Sequence, residues 1–228
     1  YTARGGGIFN GTGSSFSMTN GVVSHNIARG GGGGVYCEAP TSFSMTNVSI
    51  SSNESESKGG GLRIRTSGNV EAALTGCTID HNHSTATGSN RASEGGGIYM
   101  QEGHLRMENC IITYNQSAFA GAGFYAHDGV TCAKNCTITH NSAFTEHERM
   151  YGGGICLHNP SVYTMEDGTI TNNHSYQDGG GIYVFQGATF NVKGNVTINE
   201  NFRTRKSAEP TDTPNNAYTA GTAVINIV

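Results

Sequence analysis

His127 and His158 each stand four residues after the last glycine of a glycine-rich triplet, with Asp128 beside the first. If the chain stacks those triplets on one another, the two imidazoles lie about 4.8 Å apart at Cα. They could then share a metal ion, with Asp128 or His104 as third ligand. Glu108, Lys134 and Glu166 fall at equivalent outward positions of successive segments. Paired carboxylates flanking a glycosidic bond are the equipment of a glycan hydrolase, and many lyases need an Asp-rich calcium site. The five aspartates of this chain, Asp80, Asp128, Asp167, Asp178 and Asp212, are nowhere adjacent and fall at different positions of the segments. The simpler expectation for Glu108, Lys134 and Glu166 is a ladder of alternating charge worth about a few tenths of a kcal/mol per pair.

Residues 28–38 read ARGGGGGVYCE, and five consecutive glycines suggest a loop that cradles phosphate. Such a loop has to open a helix, because the helix N-terminus supplies the aligned N–H donors. The residues that follow, VYCEAPTSFSMT, alternate, favour strands and contain a proline, and no Gly-Lys-Ser/Thr is present. Nucleotide binding is excluded on that ground.

The elements that position these residues emerge from self-comparison. Gly-Gly-Gly plus an apolar residue recurs at 5–8, 32–35, 59–62, 95–98, 152–155 and 179–182, with the variant GAGF at 121–124. Each is followed by a β-branched residue, two variable residues and Asn: Val23–Asn26, Ile50–Asn53, Ile79–Asn82, Ile112–Asn115, Ile138–Asn141, Ile170–Asn173 and Ile198–Asn201. The period is 26–28 residues where nothing is inserted. Within a unit the apolar residues alternate at period two, as strands do. Three short strands per unit, separated by tight corners, predict one coil of a parallel β-helix. Asn20, Asn47, Gly76, Asn109, Asn135, Asp167 and Asn195 form a column of types that tolerate left-handed backbone, so this column is a predicted bend. The Asn closing each Ile-x-x-Asn is expected to stack inward as an amide ladder. Insertions fall at one corner only, around 83–94 and 142–151, and loops on one edge of a solenoid are where function is commonly added.

Alternation assigns further columns. Phe9, Tyr36, Arg63, Tyr99, Tyr125, Cys156 and Tyr183 are expected to point outward, and Phe9, Tyr36, Tyr99, Tyr125 and Tyr183 make a candidate platform for sugars or a partner. Stacked tyrosines that merely stabilise the sheet are the competing expectation. His25, His81 and His140 share another column on alternate coils, too far apart for one ion. Cys77, Cys110 and Cys136 are expected inward on consecutive coils, within disulfide range of a neighbour but one too many to pair fully. Cys132 and Cys136 flank a bend and could bridge locally. Eight N-x-S/T sequons occur. The copies at Asn53, Asn82, Asn115 and Asn173 belong to the inward ladder. Asn10, Asn47, Asn135 and Asn195 lie at predicted turns and could carry glycans in a secreted protein.

Strings such as CTITHNSA, GTITNNHSYQDGGGIYV and FSMTNG resemble the repeats of chlamydial polymorphic outer-membrane proteins, and equally those of bacterial β-helix surface proteins and adhesins. The resemblance spans residues 1–201 and implies an all-β, single-stranded, right-handed parallel β-helix (a pectate-lyase-like solenoid) of about seven coils. Residues 202–228 are then a loop and a partial terminal coil. One departure is that Ile mostly stands where the chlamydial motif has Phe. The resemblance implies an extracellular or cell-surface setting. Its partners would be glycans or a protein of a host or cell surface, with end-to-end self-association as a further option. A net charge of −4 argues against nucleic acid, and no apolar run approaches the roughly 18–20 residues of a membrane span. The first residue is Tyr1, which suggests a segment cut from something longer. No cofactor is called for. The leading expectation is a non-catalytic surface module, adhesin-like or fibre-forming. The alternative is a polysaccharide-degrading enzyme on the same scaffold.

Overall fold

The computed structural model describes residues 3–85, 93–143, 150–204, 213–221 and 223–227. The described residues are all strand, turn and coil. Three parallel sheets run the length of a solenoid, and each strand pairs with its counterpart one coil on. The first sheet has eight strands, from Ile8–Asn10 through Val35–Glu38, Leu62–Arg65 and Ile98–Glu102 to Ala217–Thr219. The third, also eight-stranded, is built of two-residue strands such as Glu54–Ser55 and His83–Ser84. Only its last pairing, Phe202–Arg203 with Thr213–Pro214, is antiparallel.

The twelve-stranded second sheet departs from the expected three strands per coil. Early coils give it two separate strands each, for example Ser42–Thr46 and Ser49–Ser51. Later coils fuse the two into Val130–Thr139, Val162–Thr171 and Thr189–Asn199. Between the halves lies the predicted bend, with positive φ at Asn20, Asn47, Gly76, Asn109, Asn135 and Asp167. In the seventh coil the left-handed residue is Gly194 (φ 65°) and not Asn195, because the inserted residue shifts the register by one. A second left-handed column was not anticipated. His25, Ser52, His81, Tyr114, His140, Asn172 and Glu200, each just before a ladder asparagine, all have φ between 53° and 56°.

The interior follows the alternation. Val35, Leu62, Ile98, Phe124, Ile155 and Ile182 form one buried column, and Ile50, Ile79, Ile112, Ile138 and Ile170 face it. Cys77, Cys110 and Cys136 are buried on consecutive coils, and all six cysteines are free thiols. The amide ladder is as expected. Asn53 donates through both its backbone N–H and its Nδ2 to Asn82 Oδ1 at 3.0 Å, and the pattern repeats through Asn115, Asn141 and Asn173 to Asn201. Each Nδ2 also donates to a backbone carbonyl of the preceding coil, such as Ile79 O at 2.9 Å from Asn115. The glycine corners stack directly beside this ladder: a Cβ on Gly97 would come within 2.9 Å of Asn115 Nδ2 and 2.7 Å of Gly123 O.

Among the buried side-chain polar atoms of the described residues that lack a hydrogen bond, one lies in the main hydrophobic core. The Tyr163 ring is fully buried and stacks on Phe190 at 5.5 Å, but its hydroxyl makes no hydrogen bond. An unpaired buried hydroxyl costs about 1–3 kcal/mol, so Tyr163→Phe is expected to leave stability unchanged or raise it by about 1 kcal/mol in urea unfolding. A loss beyond that would show that the hydroxyl has a partner.

Candidate functional site

The aromatic column lies on the outer side of the first sheet, in register Phe9–Tyr36–Arg63–Tyr99–Tyr125–Cys156–Tyr183–Tyr218. It is not the exposed platform that alternation implied. Tyr36, Tyr99, Tyr125 and Tyr183 are between 1 and 6 % exposed, and the column is open only toward its ends, at Phe9 (51 %) and Tyr218 (38 %). The reason is a second layer. Phe119, Tyr151 and Phe185, together with buried Ala120, pack on the column and make a small apolar cluster outside the sheet. Tyr99 stacks on Tyr125 at 5.5 Å, and Tyr151 lies 4.4 Å from Tyr183. Alternation tells which side of a strand a residue takes, not what then folds over it.

At the N-terminal half the cover is ionic. The Arg63 guanidinium sits 4.8 Å from the Tyr36 ring centre and 5.7 Å from that of Tyr99, filling the one non-aromatic place in this part of the stack. It donates to Gly30 O at 3.0 Å and to Gln101 at 2.6 Å. In the pentaglycine corner a Cβ on Gly31 would stand 2.9 Å from Lys58 O as well as 2.8 Å from this guanidinium, and one on Gly33 would stand 2.3 Å from the Glu54 and Gly60 carbonyl oxygens. Lys58 bridges Tyr99 OH at 3.1 Å and Glu94 at 3.3 Å. Glu38 accepts from the Tyr36 hydroxyl and from Arg65 at 2.6 Å. Burial pushes the Glu38 carboxyl upward, but those two hydrogen bonds and the charges of Arg65 and Arg4 prevail and hold it below the usual carboxylate range.

The histidine pair is brought together but not as a metal site. The His127 and His158 rings stack at 5.4 Å with 4° between their planes, and His158 also packs on Phe185 at 5.2 Å. Stacked rings point their nitrogen lone pairs side by side rather than toward a common centre. Among the described residues no three His, Cys, Asp or Glu side chains are grouped to hold a metal, so Asp128 and His104 do not complete one. Burial and the neighbouring His158 lower the His127 pKa, favouring neutral imidazole.

The charged column is a ladder of exposed ion pairs. Lys134 Nζ lies 2.6 Å from Glu166, while Arg106 bridges Glu108 at 2.9 Å and Glu71 at 3.0 Å. Both carboxylates are therefore committed to cations on an open sheet face. Nor is a thiol poised as a nucleophile on the first sheet: burial pushes Cys37 up to about 12 and Cys156 well above the ordinary thiol range.

Of the candidate glycan acceptors, Asn47, Asn135 and Asn195 are exposed. Asn10 is not: it ends the strand Ile8–Asn10, is 5 % exposed, and its Nδ2 faces the Cys37 sulfur at 4.0 Å. The expected turn begins one residue later, and Asn10 is packed against the second coil. Residues 86–92 and 144–149, within the two insertions, and 205–212, within the expected terminal loop, lie outside the described residues. What the sequence did not reveal is an exposed stack at the corner before the amide ladder, where Tyr114 lies 5.1 Å from His81 and 4.9 Å from His140. The signal was present in the equal spacing of His81, Tyr114 and His140 from their ladder asparagines.

No helix among the described residues is long and apolar enough to cross a membrane. Neither the curated proteins nor the solved structures include a significant match to this chain. A family model described as the right handed beta helix region matches residues 2–204. With its stacked parallel sheets and inward asparagine ladder, the chain belongs to the right-handed β-helix family.

Proposed function

We propose that this solenoid is a non-catalytic surface module, adhesin-like or fibre-forming, that works outside the cell by presenting its outer faces to glycans or to a partner protein. The observation that carries the reading is the state of the outward acids. Glu108 and Glu166 are each paired with an adjacent cation, and both are partly exposed on the outer face of the second sheet, Glu108 at the end of His104–Glu108 and Glu166 within Val162–Thr171. A glycosidase's acid works on a bound sugar in a site that excludes water, and a carboxylate ion-paired on an open sheet face has no such site.

The competing reading is a glycanase acting through Glu108 and Glu166. Incubation with polysaccharides, followed by reducing-sugar and unsaturated-product assays, is expected to give no turnover. Glu166→Gln is expected to shift stability by less than about 1 kcal/mol, as for other exposed pairs. Turnover by the native chain that disappears in Glu108→Gln or Glu166→Gln would overturn the module reading.

A further inference from the structure

The two left-handed columns of this solenoid differ in what fills them. The bend within the second sheet uses Asn, Asp and Gly, the types that accept positive φ most readily. The corner before the amide ladder has the same backbone geometry; beside three histidines and Asn172, types also found at positive φ, it carries Ser52, Glu200 and Tyr114. Positive φ in a bulky residue such as tyrosine is an outlier that costs free energy, and such outliers persist where the side chain is needed. These side chains are not needed for the core. Tyr114 is 49 % exposed and the His81 side chain 60 %.

They are nevertheless ordered. His81 and His140 stack on either face of Tyr114 with interplanar angles of 20° and 27°. His81 Nδ1 lies 2.9 Å from Asp80 Oδ2, and His140 Nδ1 lies 2.8 Å from Thr139 Oγ1, so each ring is oriented by the residue before it. Alongside the ridge runs the outer face of the short second-sheet segments, two outward columns across seven coils. Ten of those fourteen positions are Ser or Thr, and the one charged residue among them is Asp80, already held by His81. On the coil of Tyr114 the face also exposes Ile111, at 44 %.

We infer that this ridge and terrace bind a neutral polysaccharide lying along the solenoid axis, an inference that rests on the surface-module reading. The surface offers hydroxyls on every coil at a repeat of about 4.8 Å, with the ring nitrogens of His81 and His140 and the Tyr114 phenol beside them, to a ligand that is itself a repeating array of hydroxyls. Its near absence of charge selects against polyanions, which demand a basic surface. It also lacks the contiguous apolar centre with aromatic and Arg anchors that a protein partner would bury. Contacts on successive coils act on one chain, so individually weak sites sum to useful avidity.

Native electrophoresis through gels cast with soluble β-glucan, galactomannan or xylan tests this, with a polygalacturonate gel as the anionic arm. The native chain is expected to be retarded in at least one neutral gel. Tyr114→Asn and the double variant His81→Asn/His140→Asn, whose replacements accept positive φ, are expected to lose at least about tenfold in affinity. Their circular dichroism and unfolding temperature should be unchanged. Thr139→Val, which keeps the shape and removes one hydroxyl, should weaken retardation by a smaller factor. Retardation in no neutral gel, retardation confined to polygalacturonate, or undiminished retardation of Tyr114→Asn each overturns the assignment. None of these touches the non-catalytic reading, which falls only if the native chain releases sugar.

Discussion

Replacing Asn115 with Leu is expected to lower the unfolding free energy by about 3–6 kcal/mol, or to prevent accumulation of folded protein altogether. Asn115 is completely buried at the middle of the amide ladder. Its Oδ1 accepts from the Asn82 backbone N–H and from Asn82 Nδ2, and its own Nδ2 donates to Ile79 O and to Asn141 Oδ1. Leu is of similar size but fills the place with carbon. Two donors of Asn82 and two acceptors on Ile79 and Asn141 then lose a partner in a space closed to water, where each orphaned group costs about 1–3 kcal/mol. Asn82 and Asn141 retain other bonds, which keeps the total below the simple sum. Urea unfolding followed by circular dichroism checks this, with Asn199→Leu, an exposed position on the last complete coil, as the control. A loss below about 1 kcal/mol would mean that the ladder only decorates the fold.

The second large effect belongs to the glycine corner. A Cβ on Gly60 would stand 2.5 Å from Gly96 O and 2.5 Å from His83 O, both backbone atoms. His83 lies in a strand of the third sheet and Gly96 O accepts from the Gly61 N–H at 3.0 Å, so neither yields easily to a methyl group, and Gly60→Ala is expected to cost at least about 3 kcal/mol. Gly68 is the matched comparison. It has φ +61°, and a Cβ there would meet nothing within 4 Å. Gly68→Ala should cost only the left-handed strain, about 1–2 kcal/mol. A loss at Gly60 no larger than that at Gly68 in thermal unfolding would show that the surrounding backbone gives way to the methyl group.

Much of this architecture was legible because its rules are local and repeated seven times. Ile-x-x-Asn and Gly-Gly-Gly each report a backbone geometry that few other residues satisfy, and the structure realises both. The candidate site was less legible. Whether Tyr99 is a platform or part of a core depends on Phe119, Tyr151 and Phe185, whose approach follows from corners on other coils. No period in the sequence carries that information. The corner at His81, Tyr114 and His140 was hidden for the opposite reason. Its backbone is left-handed, but Tyr114 at its centre is a bulky residue that rarely announces such a turn. Asn10 illustrates a smaller limit: a sequon names a chemical acceptor, and only packing against Cys37 shows that this one is closed.

The amide ladder described above has a mechanical meaning. Its hydrogen bonds, like those of the three sheets, run along the solenoid axis from one coil to the next. Tension applied along that axis therefore loads the junctions between coils in series, and the weakest parts first. Each coil that peels away frees the 26–28 residues of one uninterrupted repeat. At about 3.3–3.6 Å per extended residue, that is a release of roughly 90 Å of chain. A tether built this way lengthens in near-equal increments under pull, absorbing work at each junction instead of parting at once.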